Sequence, residues 1–224
     1  MPAALPTVSP HRLLPTGLGV DGFLAETGVS RETVQRLEAY AELLVRWQKR
    51  INLVSPATLP DLWRRHMIDS AQLLSLLPTD GRPVIDLGSG AGFPALVLAI
   101  MGTQQVHLIE SDQRKCVFLA EAARVAGLQA GSNPVIHNRR IEDIAGVPPG
   151  TVIARACAPL DRLLSYAQKF LWHGGKCLFL KGANVEQELT AARKSWTMDV
   201  ERIPSVSDPQ GCILRLGNIR RAEP

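Results

Sequence analysis

No stretch of the 224-residue chain approaches the ~20 consecutive apolar residues that a helical membrane span requires. The longest apolar run, 95–101, fits the start of a buried helix. The first fifteen residues (MPAALPTVSPHRLLP) are broken by proline and lack the continuous apolar core of a secretory signal, so no such leader is expected. Cysteine is scarce. The four residues, at 116, 157, 177 and 212, form no C-x-x-C pair and sit among apolar neighbours, which predicts reduced core thiols, no metal site and a cytoplasmic location. Internal repeats and low-complexity tracts are absent. Charge is nearly balanced, 25 Lys and Arg against 21 Asp and Glu, and the net +4 points only weakly to a polyanionic partner. Its distribution says more. Arg46, Lys49–Arg50, Arg64–Arg65, Arg139–Arg140, Arg193–Lys194 and Arg220–Arg221 come in groups, which fits either a solvated face or a surface that tracks phosphates.

At 46% hydrophobic, a chain of this length can hold one α/β domain with a small appendage. Residues 1–16 are proline-rich without a period and are expected to be disordered or loosely attached. Residues 17–80 form a helical module. Ser30 is a candidate N-cap, Leu37, Tyr40, Ala41, Leu44, Val45 and Ile51 recur at helical spacing, and two short helices fit 58–67 and 69–77. From 81 to 224 the rhythm turns to strand and helix. Candidate strands are 84–87, 106–110, 134–137, 152–154 and 176–181, with helices at 94–101, 112–126, 141–145 and 160–172 between them. A last helix at 184–193 leads to an antiparallel hairpin of 198–203 and 212–216. The alternation predicts a parallel, Rossmann-like sheet covered on both faces.

The run VIDLGSGAGFP at 84–94 carries the chemistry. A short strand ends in Asp86, glycines follow at 88, 90 and 92, and Pro94 suits the first position of a helix. Glycine lets the backbone turn sharply and approach a ligand that a Cβ would hold off. A dinucleotide fingerprint asks for glycine where Phe93 stands. A carboxylate at the strand tip would repel a pyrophosphate and suit a cationic, hydroxyl-rich ligand. S-adenosylmethionine, with its sulfonium, ammonium and ribose diol, meets that description.

In such a sheet, ligands bind beyond the carboxyl ends of the strands. Glu110 ends the second strand, roughly 20 residues after the loop, where an acid meets ribose hydroxyls; the plainer reading is a neighbour of the following helix cap. Ile141 and Glu142, after the third strand, are the candidates for the adenine, with a first-turn acid opposing the helix dipole as the alternative for Glu142. Arg155 and Lys181 end the fourth and fifth strands. They are candidates to meet the ligand or substrate, or else to pair with Asp86 or Asp69, because a charge ending an apolar strand needs a partner. Cys157 reads as a small buried hydrophobe. His66 and Asp69 lie three apart and share a face if the turn is helical, most simply as a capping or ion-pair arrangement.

Taken in order, Asn52–Leu53, RHMIDS at 65–70, DLGSGAGFP at 86–94, LIES at 108–111, RIE at 140–142, ARA at 154–156 and LKG at 180–182 closely resemble the RsmG family, also called glucose-inhibited division protein B. The match covers about residues 35–185. The resemblance implies a class I methyltransferase fold and methyl transfer from S-adenosylmethionine to N7 of one guanosine in 16S rRNA, within the small ribosomal subunit or an assembly intermediate. It also implies donor contacts from Gly88, Phe93, the Ile141–Glu142 pair and Arg155. Arg140, Arg155 and Lys181 become the candidates to position the substrate, with no general base required. Ala95 departs from the glycine usual after the motif's proline. A small-molecule methyltransferase and a non-catalytic, donor-binding assembly factor are the alternatives.

Overall fold

A computed structural model of the chain describes residues 12–129 and 133–222. Its strands are β1 (Val84–Leu87), β2 (Val106–Glu110), β3 (Val135–Asn138), β4 (Thr151–Arg155), β5 (Cys177–Lys181), β6 (Trp196–Pro204) and β7 (Cys212–Arg221). They form one sheet in the order β3-β2-β1-β4-β5-β7-β6. Pairing is parallel from β3 through β5, and β7 runs antiparallel to both β5 and β6. Central parallel strands are covered on both faces and so read as unbroken apolar runs. Every residue of β1 is buried, as are the first four of β4. Strand order reverses between β1 and β4, which opens a crevice at their carboxyl ends.

The helices are α1 (Val20–Thr27), α2 (Arg31–Gln48), the single turn α3 (Asp69–Ala71), α4 (Ala95–Ile100), α5 (Gln113–Val125), α6 (Leu160–Ala167) and α7 (Val185–Ala192). One buried cluster joins α1, α2, α4 and α5 to one face of the sheet. A second joins α6 and α7 to the other face. None of these helices is long and apolar enough to cross a membrane.

The N-terminal helices have no core of their own and borrow the sheet's. Ser30 caps α2 as its position suggested, its hydroxyl accepting from the Thr33 N–H at 3.1 Å. Val34, Leu37, Tyr40, Ala41 and Leu44 then face inward at helical spacing against α4 and α5. Tyr40, fully buried, reaches the loop after β1, where its hydroxyl donates to the Ala91 carbonyl. Its ring centroid lies 5.3 Å from that of Phe93. The helical appendage thus supports the glycine loop directly.

Four expectations are corrected. Over 58–77 the chain forms a 3-10 helix at Pro56–Asp61, a π-helical turn at Trp63–Ile68, α3, and a 3-10 turn at Leu74–Leu76, rather than two α-helices. Pro60 lies within the first of these and removes a donor. The Ser70 hydroxyl bonds back to the His66 carbonyl at 2.7 Å, a contact that bends helices. Second, 141–145 holds only a 3-10 turn, Ile141–Asp143, and the helix from Leu160 gives way after Ala167 to a 3-10 turn at Gln168–Phe170. Third, the terminal hairpin is longer than its apolar pattern suggested, because its outer part is held by polar and cation–ring pairs: Asn218 donates to Asp199 at 2.5 Å, and the Arg221 guanidinium lies over the Trp196 ring at 4.0 Å. Fourth, residues 12–16 are not all loosely attached. Residues 1–11 lie outside the described residues, but Leu14 is buried and its N–H donates to the Val206 carbonyl at 2.9 Å.

Tyr40→Phe keeps the ring and leaves the Ala91 carbonyl without its donor. A buried acceptor so orphaned costs about 1–3 kcal/mol, and urea unfolding is expected to show a loss of that size with an unchanged m-value.

Candidate active site

The carboxyl ends of β1, β2, β4 and β5 surround one open cavity of about 1170 Å³, together with the Ile141–Asp143 turn and the π-helical turn. Every site residue expected from the sequence borders it except Asp86. The loop glycines serve two different ends. Gly88 has φ +68°, and a Cβ there would come within 2.4 Å of the Cys157 sulfur, so packing alone forbids a side chain. Gly90 has φ +56°, and a Cβ there would meet nothing closer than the Gly88 carbonyl at 3.8 Å. The protein does not fill the space over Gly90.

Glu110 is buried beside this loop. Its carboxylate accepts from the Gly90 N–H at 2.9 Å and from the Asp112 N–H at 2.8 Å, so it ties the glycine loop to the start of the following helix. Asp112 in turn caps α5, accepting from the Arg114 N–H at 2.8 Å. Asp86 departs from the sequence expectation. It is fully buried beneath the loop rather than on the cavity wall, and neither carboxylate oxygen makes a hydrogen bond among the described residues. Strand alternation is the reason: Asp86 shares a face with Val84, toward the side covered by α4 and the N-terminal helices. Burial pushes its carboxyl up to about 7, with Ser89, Arg155 and the Ala95 N–H opposing the rise and Glu110 adding to it.

Arg155 is the most heavily engaged side chain of the site. Its guanidinium donates to His66 Nδ1 at 2.8 Å and to the Arg65 carbonyl at 3.2 Å, lies 3.5 Å from an Asp69 oxygen, and covers the Phe93 ring at 4.8 Å. Arginine can only donate, so His66 Nδ1 accepts and Nε2 carries the proton. That proton points to the Thr58 hydroxyl, 2.7 Å away, whose own hydrogen goes to the Ser55 carbonyl at 2.8 Å. Burial first, then Arg155 and Arg65, drive the imidazole down to about 3. His66 is therefore a neutral acceptor fixed in one tautomer, and no base at physiological pH. Asp69 also accepts from Ser207 at 2.5 Å and Gln72 at 3.0 Å, tying the hub to the loop between β6 and β7.

Lys181 pairs with neither Asp86 nor Asp69. Its ammonium donates to Glu188 at 2.7 Å and to the Ala158 carbonyl at 3.0 Å, and the same Glu188 oxygen accepts from the Leu160 N–H at 2.7 Å. Cys157 lines the cavity with its thiol pushed up to about 11 by burial, then by Asp86 and Glu110, so it is protonated and no nucleophile. The grouped cations divide. Arg64 and Arg65 are spent on Asp61 and Asp208. Arg139 and Arg140, joined by Lys115 from outside those groups, border the cavity, and no salt bridge among the described residues holds them.

Residues 33–213 match the family described as rRNA small subunit methyltransferase G. The chain belongs to that family. It is 54% identical to the ribosomal RNA small subunit methyltransferase G of Paramagnetospirillum magneticum, over 91% of this chain and 98% of the relative. To that of Rhodospirillum rubrum it is 55% identical, over 90% and 98%. The fold is also that of an O-methyltransferase from Bacillus cereus, solved in complex with SAH, with a TM-score of 0.55, 13% identity and coverage of 89% and 97%.

Within this family member the sequence reading missed four residues that complete the site: Thr58, Glu188, Arg162 and Tyr166. The last two carry the only available signal, a cation and a phenol four apart on an amphipathic helix. Thr58 and Glu188 reach their partners across the fold, and nothing local marks them.

The buried Asp86 makes stability depend on pH. A carboxyl with a raised folded pKa binds more protons folded than unfolded between about 4 and about 7. Its cost is absent below that window and grows as pH rises through it. Asp86→Asn should therefore gain stability relative to the parent as pH is raised from 5 to 8 in urea unfolding. A difference that stays constant over that range contradicts the placement.

Proposed function

We propose that this protein transfers a methyl group from S-adenosylmethionine to N7 of one guanosine in 16S rRNA, acting in the cytoplasm on the small ribosomal subunit or an assembly intermediate. The observation that carries the reading is the space held open over Gly90 beside the buried Glu110 carboxylate, in a chain of the rRNA small subunit methyltransferase G family. The residues fit the donor. Glu110, already oriented by two backbone N–H groups, retains lone pairs for ribose hydroxyls. The Ile141–Glu142 turn closes the far side for the adenine, and the loop 88–92 approaches the methionine end. Asp86 is buried below the loop without touching the cavity, and a cationic ligand above it favours its ionised form. When bound, S-adenosylmethionine supplies a methyl group activated by its sulfonium.

Guanine N7 carries a lone pair and no proton, so the acceptor asks for alignment and the exclusion of water rather than for a base. The site agrees. His66 is locked neutral by Arg155 and Thr58, and Cys157 stays protonated. Arg155, held by its partners, gives the wall between the donor loop and the acceptor side a fixed shape and charge. Lys181 keeps one of its three N–H donors beyond the two bonds it makes. Lys115, Arg139 and Arg140 at the rim suit RNA phosphates.

Two measurements test this reading. Gly90→Ala should remain folded, losing about 1 kcal/mol to the left-handed backbone, yet lose binding of S-adenosylhomocysteine in calorimetry. Full affinity in the folded variant would remove the loop from the donor site. Small subunits lacking the modification, incubated with the enzyme and donor, should yield RNA that breaks at one guanosine after borohydride and aniline. The single-turnover rate at saturating donor should stay nearly flat from about pH 6 to 9. Methyl incorporation without cleavage would assign a different acceptor atom, and incorporation only into small molecules would assign a different substrate class.

A further inference from the structure

The cation Lys169 appears in none of the motifs above, yet it is bonded to the turn that the donor reading gives to the adenine. Residues 139–150, between β3 and β4, contain one element of regular structure, the 3-10 turn Ile141–Asp143, and no side chain caps it. A turn so short leaves its carbonyls without partners in its own ladder. The Lys169 ammonium gathers three of them: Ile141, Glu142 at 3.0 Å and Ile144 at 3.1 Å. An ammonium has three N–H donors, so its capacity is filled by this one turn. A cation at the carbonyl end of a helical turn also opposes the local dipole.

Two further side chains on the same stripe grip the same turn. Arg162, Tyr166 and Lys169 lie four and three apart along α6 and its 3-10 extension. The Tyr166 hydroxyl donates to Glu142 Oε1 at 2.6 Å, and Arg162 reaches the same oxygen at 3.4 Å. The Tyr166 bond is the main cause holding the Glu142 carboxyl below its usual range. Glu142 Oε2 makes no hydrogen bond among the described residues, so the carboxylate is oriented with one oxygen uncommitted.

We infer that Lys169 is a positioning residue for donor binding: by fixing the carbonyls of residues 141–144 it sets the direction of the N–H groups and side chains that this turn presents to the adenosine end of the donor. The inference rests on the donor reading above. A peptide plane held by its carbonyl has its N–H direction set as well, so recognition of a flat base edge by main chain depends on a clamp of this kind. The clamp comes from the α6 side of the sheet, whereas Ala91 and Phe93 of the loop given to the methionine end pack in the core on the other side.

The test compares two ligands on three proteins. Calorimetry with S-adenosylhomocysteine and with 5′-methylthioadenosine, which lacks the amino-acid end, is carried out on the wild type, Lys169→Met and Lys169→Arg. Lys169→Met should weaken both ligands by the same factor, roughly tenfold or more for the loss of charge-assisted bonds, and Lys169→Arg should recover most of it. In turnover, Lys169→Met should raise KM for the donor and leave kcat and KM for the ribosomal substrate unchanged. Unchanged affinity in a folded Lys169→Met would overturn the inference, as would weakening of S-adenosylhomocysteine alone. A fall in melting temperature with no change in KM would reduce Lys169 to a structural residue. If Lys169→Met does not fold, Tyr166→Phe carries the comparison, with the same equal loss expected for both ligands and unchanged affinity overturning the clamp. Should the wild type bind neither ligand, the donor reading fails rather than this inference.

Discussion

The guanidinium of Arg155 joins the end of β4 to the π-helical turn of the appendage through the His66 ring, the Arg65 carbonyl and the Asp69 carboxylate, while its face rests on Phe93. Three separate segments of chain meet at this one planar group: the end of β4, residues 65–69 and the loop at Phe93. Its fork geometry allows that many bonds in a fixed arrangement, which an ammonium on a flexible stem does not. Both Arg155 and Asp69 are largely buried, their side chains 17% and 15% exposed, so removal of either leaves a charge without its partner, a loss of about 3–5 kcal/mol in comparable settings. The residue after it, Ala156, holds φ at +50°, a conformation an alanine adopts only where its surroundings enforce it. The turn at 156 also brings Cys157 against Gly88. The hub therefore joins the glycine loop after β1, the end of β4 and the appendage at one point.

Around this hub the site spends its polar groups on orientation rather than on proton transfer. His66 accepts from Arg155, Glu110 is pinned by two N–H groups, and Lys181 is tied to Glu188. Asp86 is the exception, buried with no hydrogen-bond partner among the described residues. Such a group costs stability when ionised, and a cationic ligand above it offsets part of that cost.

Much of this was legible in the sequence, for physical reasons that differ by element. Strands β1, β2, β4 and β5 announce themselves as apolar runs because both their faces are covered, and their ends locate Glu110, Arg155 and Lys181 at the cavity. The 58–77 segment was misread because its apolar spacing is helical while Pro60 and the back-bonding Ser70 redirect its hydrogen bonds. The outer part of the terminal hairpin was hidden by charge. Placement at the cavity followed from motif spacing, and the pairing of Arg155 with Asp69 was among the partnerships expected, but the other partnerships were not. Nothing local pairs His66 with Arg155, Lys181 with Glu188, or Lys169 with the turn at 141, since each pair is made across the fold. The burial of Asp86 was missed because a strand tip was taken to face the ligand, whereas alternation turns that side chain toward α4.

The central claim, that the Arg155 fork couples the appendage to the donor loop, is most directly tested by hydrogen–deuterium exchange on Arg155→Lys. The variant keeps the charge and loses the fork. Amides of 61–70 and of 88–97 should both exchange faster than in the parent, while those of β1 and β2 remain as protected as before. Acceleration confined to 155–158, or none at all, would contradict the coupling.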